Sequence, residues 1–100
     1  MIKHIVMFKL KIAYNNDEKI IFSELIKNKL EQLPSQIKEI KFFQVGINVS
    51  KSERAYDMVL VSEFNSLEDL NIYAKHPAHI ELLVFFSQYR ENSIVTDFVF

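Results

Sequence analysis

From Ile2 to Leu10 the side chains alternate: Ile2, His4, Val6, Phe8 and Leu10 point one way, and Lys3, Ile5, Met7 and Lys9 the other. A period of two with β-branched residues predicts a strand. Its second face is apolar in the middle and charged at the ends, so cover is expected there too. Asn15-Asn16-Asp17-Glu18 then supplies cap residues and early negative charge for a helix. Along it Ile21 and Leu25 make one apolar row, and Phe22, Ile26, Leu30 and Leu33 another, on one broad face that Pro34 is expected to end. Nothing in this segment carries chemistry.

A second strand is predicted over Ile40 to Val49, with Phe43, Val45, Ile47 and Val49 on one side. Gly46, inside it, signals a bulge or the close approach of another group. The polar stretch Ser50 to Ala55 leads to a third strand, Tyr56 to Phe64, where Met58, Leu60, Ser62 and Phe64 share a face and Val59 and Val61 lie opposite. Ser66 is a fitting N-cap for the helix that follows, whose inner stripe is Leu67, Leu70, Tyr73 and Ala74. A buried Tyr73 would need a polar partner for its hydroxyl. After Pro77 the chain is apolar nearly all round a helix, and Ile94 to Phe100 predicts the last strand.

The candidate chemistry sits at the interruption, Tyr73-Ala74-Lys75-His76-Pro77-Ala78-His79. Proline disfavours helical geometry at the residue before it and suits the first position of a new helix. One helix should therefore end near Lys75 and a second begin at Pro77, with His76 in the joint. His79 then lies in a first helical turn, near unpaired N–H groups and the positive end of the helix dipole, where an imidazole stays neutral and able to accept a proton. The structural alternative is that His76 merely caps the joint and His79 is a partly buried polar group. His4, on the richer apolar face of its strand, reads as a satisfied core residue or as a pocket wall.

The order strand–helix–strand–strand–helix–strand is the split βαβ of ferredoxin-like α+β domains, with two helices on one face of a four-stranded antiparallel sheet. The other face is expected to carry Ile5, Met7, Val59, Val61, Val95 and Val99. Burying a medium aliphatic side chain is worth roughly 1.5–3 kcal/mol, so this patch predicts face-to-face packing with a second copy, an isologous homodimer forming an α+β barrel.

Composition narrows the function. The 100 residues suit one domain, 1–100, and 49% of them are hydrophobic, with nine Phe but one Gly and two Pro. The net charge of −1 comes from 12 basic and 13 acidic residues, well mixed, so nucleic acid is not an expected partner. Cysteine is absent, excluding disulfides and thiolate chemistry. No apolar run has transmembrane length and no signal-peptide pattern opens the chain, so a cytoplasmic location without membrane partners is expected. His76, His79 and Glu81 lack the paired-His spacing of zinc enzymes, so no metal site is expected.

Four segments carry a resemblance: Met1-Ile2-Lys3-His4-Ile5-Val6, Ser52-Glu53-Arg54-Ala55-Tyr56-Asp57, Ser62-Glu63-Phe64, and Tyr73 with His76-Pro77-Ala78-His79. Together they resemble the stress-responsive A/B barrel (Dabb) family over essentially the whole chain. The resemblance implies a dimeric α+β barrel with a pocket between sheet and helices in each subunit. Most members have no established activity; a plant member, olivetolic acid cyclase, closes a polyketide by an aldol-type condensation without a cofactor. Carried over, His79 is the general base, Tyr73 holds or polarises a substrate oxygen, and His4 is a further pocket His. His76 and Met58 are the remaining pocket candidates. Met58 stands where the cyclase has another His, which makes the pocket less polar and leaves the same substrate unsupported. The competing expectations are a non-catalytic stress-associated assembly protein and a cofactor-free monooxygenase of the antibiotic-biosynthesis type, for which no motif speaks.

Overall fold

The computed structural model describes residues 1–100. Its elements are β1 (Ile2–Leu10), α1 (Asn16–Leu30), a 3-10 turn (Leu33–Ser35), β2 (Phe42–Ile47), β3 (Met58–Phe64), α2 (Leu67–Lys75), α3 (Pro77–Phe86) and β4 (Arg90–Val99). The strands form one antiparallel sheet in the order β2-β3-β1-β4, a ferredoxin-like α+β fold with its helices on one face. No helix is long and apolar enough to cross a membrane.

α1 begins at a capping box: Glu18 N–H donates to Asn15 Oδ1 (2.8 Å) and Asn15 N–H to Glu18 Oε1 (3.0 Å). It stops at Leu30, a turn before Pro34, which instead sits in the first turn of the 3-10 segment, where its missing N–H is not needed. Only one of the two expected rows packs. Ile26 and Leu30 are buried with Ser23, whereas Ile21 is 63% exposed. A single helix turns one stripe to a sheet, and Ser23 lies within the buried stripe.

β3 sets the core. Met58, Leu60, Ser62 and Phe64 alternate on the helix side with 0–2% exposure. Asp57, just before the strand, ties it to its neighbours: its N–H donates to Phe8 O (2.9 Å), Leu10 N–H donates to its Oδ2 (2.7 Å), and Lys19 Nζ lies 3.6 Å from its Oδ1.

Two strand expectations need correction, and the alternative left open at Gly46 is decided. β2 ends at Ile47 and leaves Val49 almost fully exposed. Gly46 marks no bulge, because β2 and β3 pair without a break from Phe42↔Glu63 to Ile47↔Met58. The close approach does hold, since a Cβ there would sit 3.0 Å from Val59 Cγ1. β4 starts at Arg90, earlier than its apolar run suggests, and the bulge lies here: Lys9 pairs with Asn92 but Leu10 with Arg90.

The register also reverses the expected faces of β4. Val95 pairs with Val6 and Val99 with Ile2, on the helix side, while Ile94 opposes Met7 and Phe98 opposes Lys3 on the uncovered side. Directly opposed residues share a face, and a strand's faces are set by its partner rather than by its own alternation. The uncovered apolar patch is therefore Ile5, Met7, Val59, Val61, Ile94 and Phe98. Lys3 crosses it, with Nζ 4.6 Å from the Phe100 ring centroid and 3.7 Å from Glu63. On the helix side Val95 and Val99 are exposed as well, because the helices stop short of this edge strand.

Candidate functional site

The joint between α2 and α3 forms as its residues dictate. Ser66 Oγ accepts from Asp69 N–H (3.1 Å) to start α2, and His76 is extended (φ −65°, ψ 136°), ending α2 and capping α3. Its Nδ1 accepts from Ala78 N–H at 3.1 Å. In one unbroken helix, residues six apart would lie roughly 240° around the axis. The break at His76-Pro77 instead brings Tyr73 and His79 together, ring centroids 4.5 Å apart.

Tyr73 is 1% exposed and packs on Phe64 with centroids 5.0 Å apart. Burial pushes its phenol far above the ordinary range, so it remains a donor. Its hydroxyl makes no hydrogen bond to protein and is not sealed in the core, which leaves it to the cavity it lines. His79 Nδ1 lies 3.0 Å from Ala74 O. A carbonyl only accepts, so Nδ1 carries the hydrogen and Nε2 keeps a lone pair. Burial lowers the His79 pKa; the bond to Ala74 opposes this, and the nearby His4 and His76 reinforce it. The neutral imidazole expected from the sequence is thus favoured mainly by desolvation.

His4 approaches the same tyrosine from the sheet, edge-on, with centroids 6.1 Å apart. Its Nδ1 is hydrogen-bonded to Asp97, the residue directly opposite on β4. His4, Tyr73 and His79 line a cavity of about 220 Å³ between the sheet, α3 and the start of β4. Val6, Phe8, Leu60, Leu82, Phe86 and Val95 supply most of its apolar wall, and Arg90 and Ser93 add polar groups.

Two expected pocket residues lie elsewhere. His76 is held by its capping bond and lines a shallow hollow with Pro34, Lys38 and Ile72. Met58, 1% exposed, is core beside Phe8 and Ile47, two residues along β3 from the Leu60 that reaches the cavity. It does not set the cavity's polarity. His76, His79 and Glu81 line three different depressions. Arg90, Ser93 and Asp97 went unread in the sequence because the polar run from Arg90 to Ser93 looks like a loop and the faces of β4 were reversed. The one signal was an Asp inside an otherwise apolar strand.

The stress responsive A/B barrel domain model matches residues 2–100. The chain belongs to this family. An uncharacterised Streptomyces coelicolor protein is 32% identical over 79 residues, 79% of each chain. Among solved structures, a dimeric ferredoxin-like protein of unknown function from Bacteroides fragilis superposes with a TM-score of 0.90 at 33% identity, covering 99% of this chain and 95% of its own. A hydroxynitrile lyase from Passiflora edulis superposes with a TM-score of 0.79 at 20% identity, over 99% and 92% of the two chains, a likeness of fold alone. The chain's relatives thus include proteins without a known role, and its fold is shared with an enzyme.

Proposed function

We propose that residues 1–100 act as one stress responsive A/B barrel domain that binds a small apolar carbonyl ligand in the cavity and performs cofactor-free acid–base chemistry on it. His79 Nε2 would take the proton next to the carbonyl, and the Tyr73 hydroxyl would donate to the carbonyl oxygen. The observation that carries this reading is the Tyr73–His79 contact on the wall of an apolar cavity, with the His79 hydrogen held on Nδ1 by Ala74. The resemblance to olivetolic acid cyclase proposed from the sequence at Tyr73, His79 and His4 would assign the same roles. The test is binding of aryl ketones followed through the Tyr73 and His79 NMR signals, with exchange of the ketone's α-protons into deuterated water as the readout of chemistry. His79→Gln should abolish exchange and Tyr73→Phe should slow it at least tenfold, with both variants folded. Ligand binding without exchange would reduce the role to carriage.

The working unit on this reading is a homodimer closed over Ile5, Met7, Val59, Val61, Ile94 and Phe98. Dimeric relatives of the same fold support it, as does the area of apolar surface left uncovered. A second reading, a non-catalytic assembly protein, draws on the exposed helix-side Val95 and Val99, which such a dimer need not cover. Light scattering separates the two, since assemblies larger than a dimer would favour the second.

A further inference from the structure

The β4 bulge has a chemical consequence for the cavity. In an unbroken ladder Leu10, on the helix side, would face Glu91; with the extra residue it faces Arg90. The bulge thus exchanges an anion for a cation on the cavity side of the strand, and bulges commonly re-aim side chains next to functional sites. Glu91 turns away and accepts a long bond from Ile12 N–H (3.4 Å). Arg90 is half-buried on the cavity wall and takes no part in the molecule's three ion pairs, Lys3–Glu63, His4–Asp97 and Lys19–Asp57. No carboxylate lines the cavity with it. A guanidinium held partly out of water without an anion forgoes the bidentate bonds its fork is shaped for.

We infer that Arg90 is a specificity-determining residue and that the cavity's ligand is a carboxylate, its anionic end on Arg90 and its carbonyl end toward Tyr73 and His79. This rests on the ligand-binding reading above and names the ligand class. The size agrees: an apolar cavity of roughly 150 Å³ takes up benzene, so about 220 Å³ holds a ring with small substituents. The carboxylate end would select among apolar carbonyl compounds that the rest of the wall cannot tell apart, because Arg–carboxylate pairs carry geometric specificity as well as affinity.

The experiment compares para-acetylbenzoate with its neutral match, para-acetylbenzamide, by calorimetry and by the Tyr73 and His79 NMR signals. The wild-type protein should bind the benzoate roughly tenfold or more tightly than the amide. Arg90→Gln should erase that preference, and Arg90→Lys should keep part of it. Equal binding of the two probes by the wild type, or a preference that survives Arg90→Gln, overturns the role of Arg90 and leaves the cavity reading intact. If neither probe moves the Tyr73 and His79 signals, the cavity reading fails and this inference with it.

Discussion

The two faces of one sheet differ in what their residues are asked to do. On β3, Met58, Leu60, Ser62 and Phe64 are sealed under the helices, while Val59, Val61 and Glu63, one position along each time, stay half-exposed on the other face. The covered face has its partners within the chain, so its side chains set whether the chain folds. The uncovered face is nearly as apolar but has no cover of its own, and on the proposed homodimer its side chains would set whether two chains meet. Composition alone does not distinguish these duties; the difference is where the helices lie.

The largest expected effect is on the covered face. Phe64→Ala should cost about 3–5 kcal/mol in urea unfolding, as buried Phe truncations do. On the uncovered face Val61→Glu should leave the subunit folded but weaken self-association by about 2–4 kcal/mol, since it places a carboxylate in an apolar contact. Sedimentation velocity reads this, and an undisturbed dimer would show that another surface makes the contact. Asp57→Ala removes the acceptor of Leu10 N–H and the partner of Lys19. It should cost about 1–3 kcal/mol by thermal unfolding. His76→Ala loses a cap to Ala78 N–H, so about 0.5–2 kcal/mol of stability should go with no change in probe affinity.

The smallest expected effect is the pH dependence that His79 gives to stability. The folded pKa of His79 lies below its ordinary value of 6.5. The unfolded chain therefore binds the proton more readily, and stability falls as pH drops from about 6.5 toward the folded pKa, below which the loss is complete. His79→Gln should flatten that slope in unfolding curves taken between about pH 5 and pH 7.5.

Much of this was legible in the sequence where signals are local. The capping box at Asn15, the Ser66 cap and the break at His76-Pro77 each depend on a few adjacent residues, and the elements begin where those residues direct. The pairing of Tyr73 with His79 was expected only through the family resemblance; their contact is a finding of the structure. The site's other half was not legible. Arg90 reaches the cavity, and Asp97 reaches His4, through pairing with β1, eighty or more positions earlier in the chain, and a bulge that no glycine or proline announces decides which of two opposite charges faces inward.

The sequence by itself determined the order of the elements, their caps and the apolar stripes of β1 and β3, because alternation and capping are properties of neighbouring residues. Only the tertiary structure decided which side of β4 faces the helices, which histidines share a cavity, and that an arginine stands at its wall. Those depend on register between distant strands, where a shift of one residue turns every side chain to the other face.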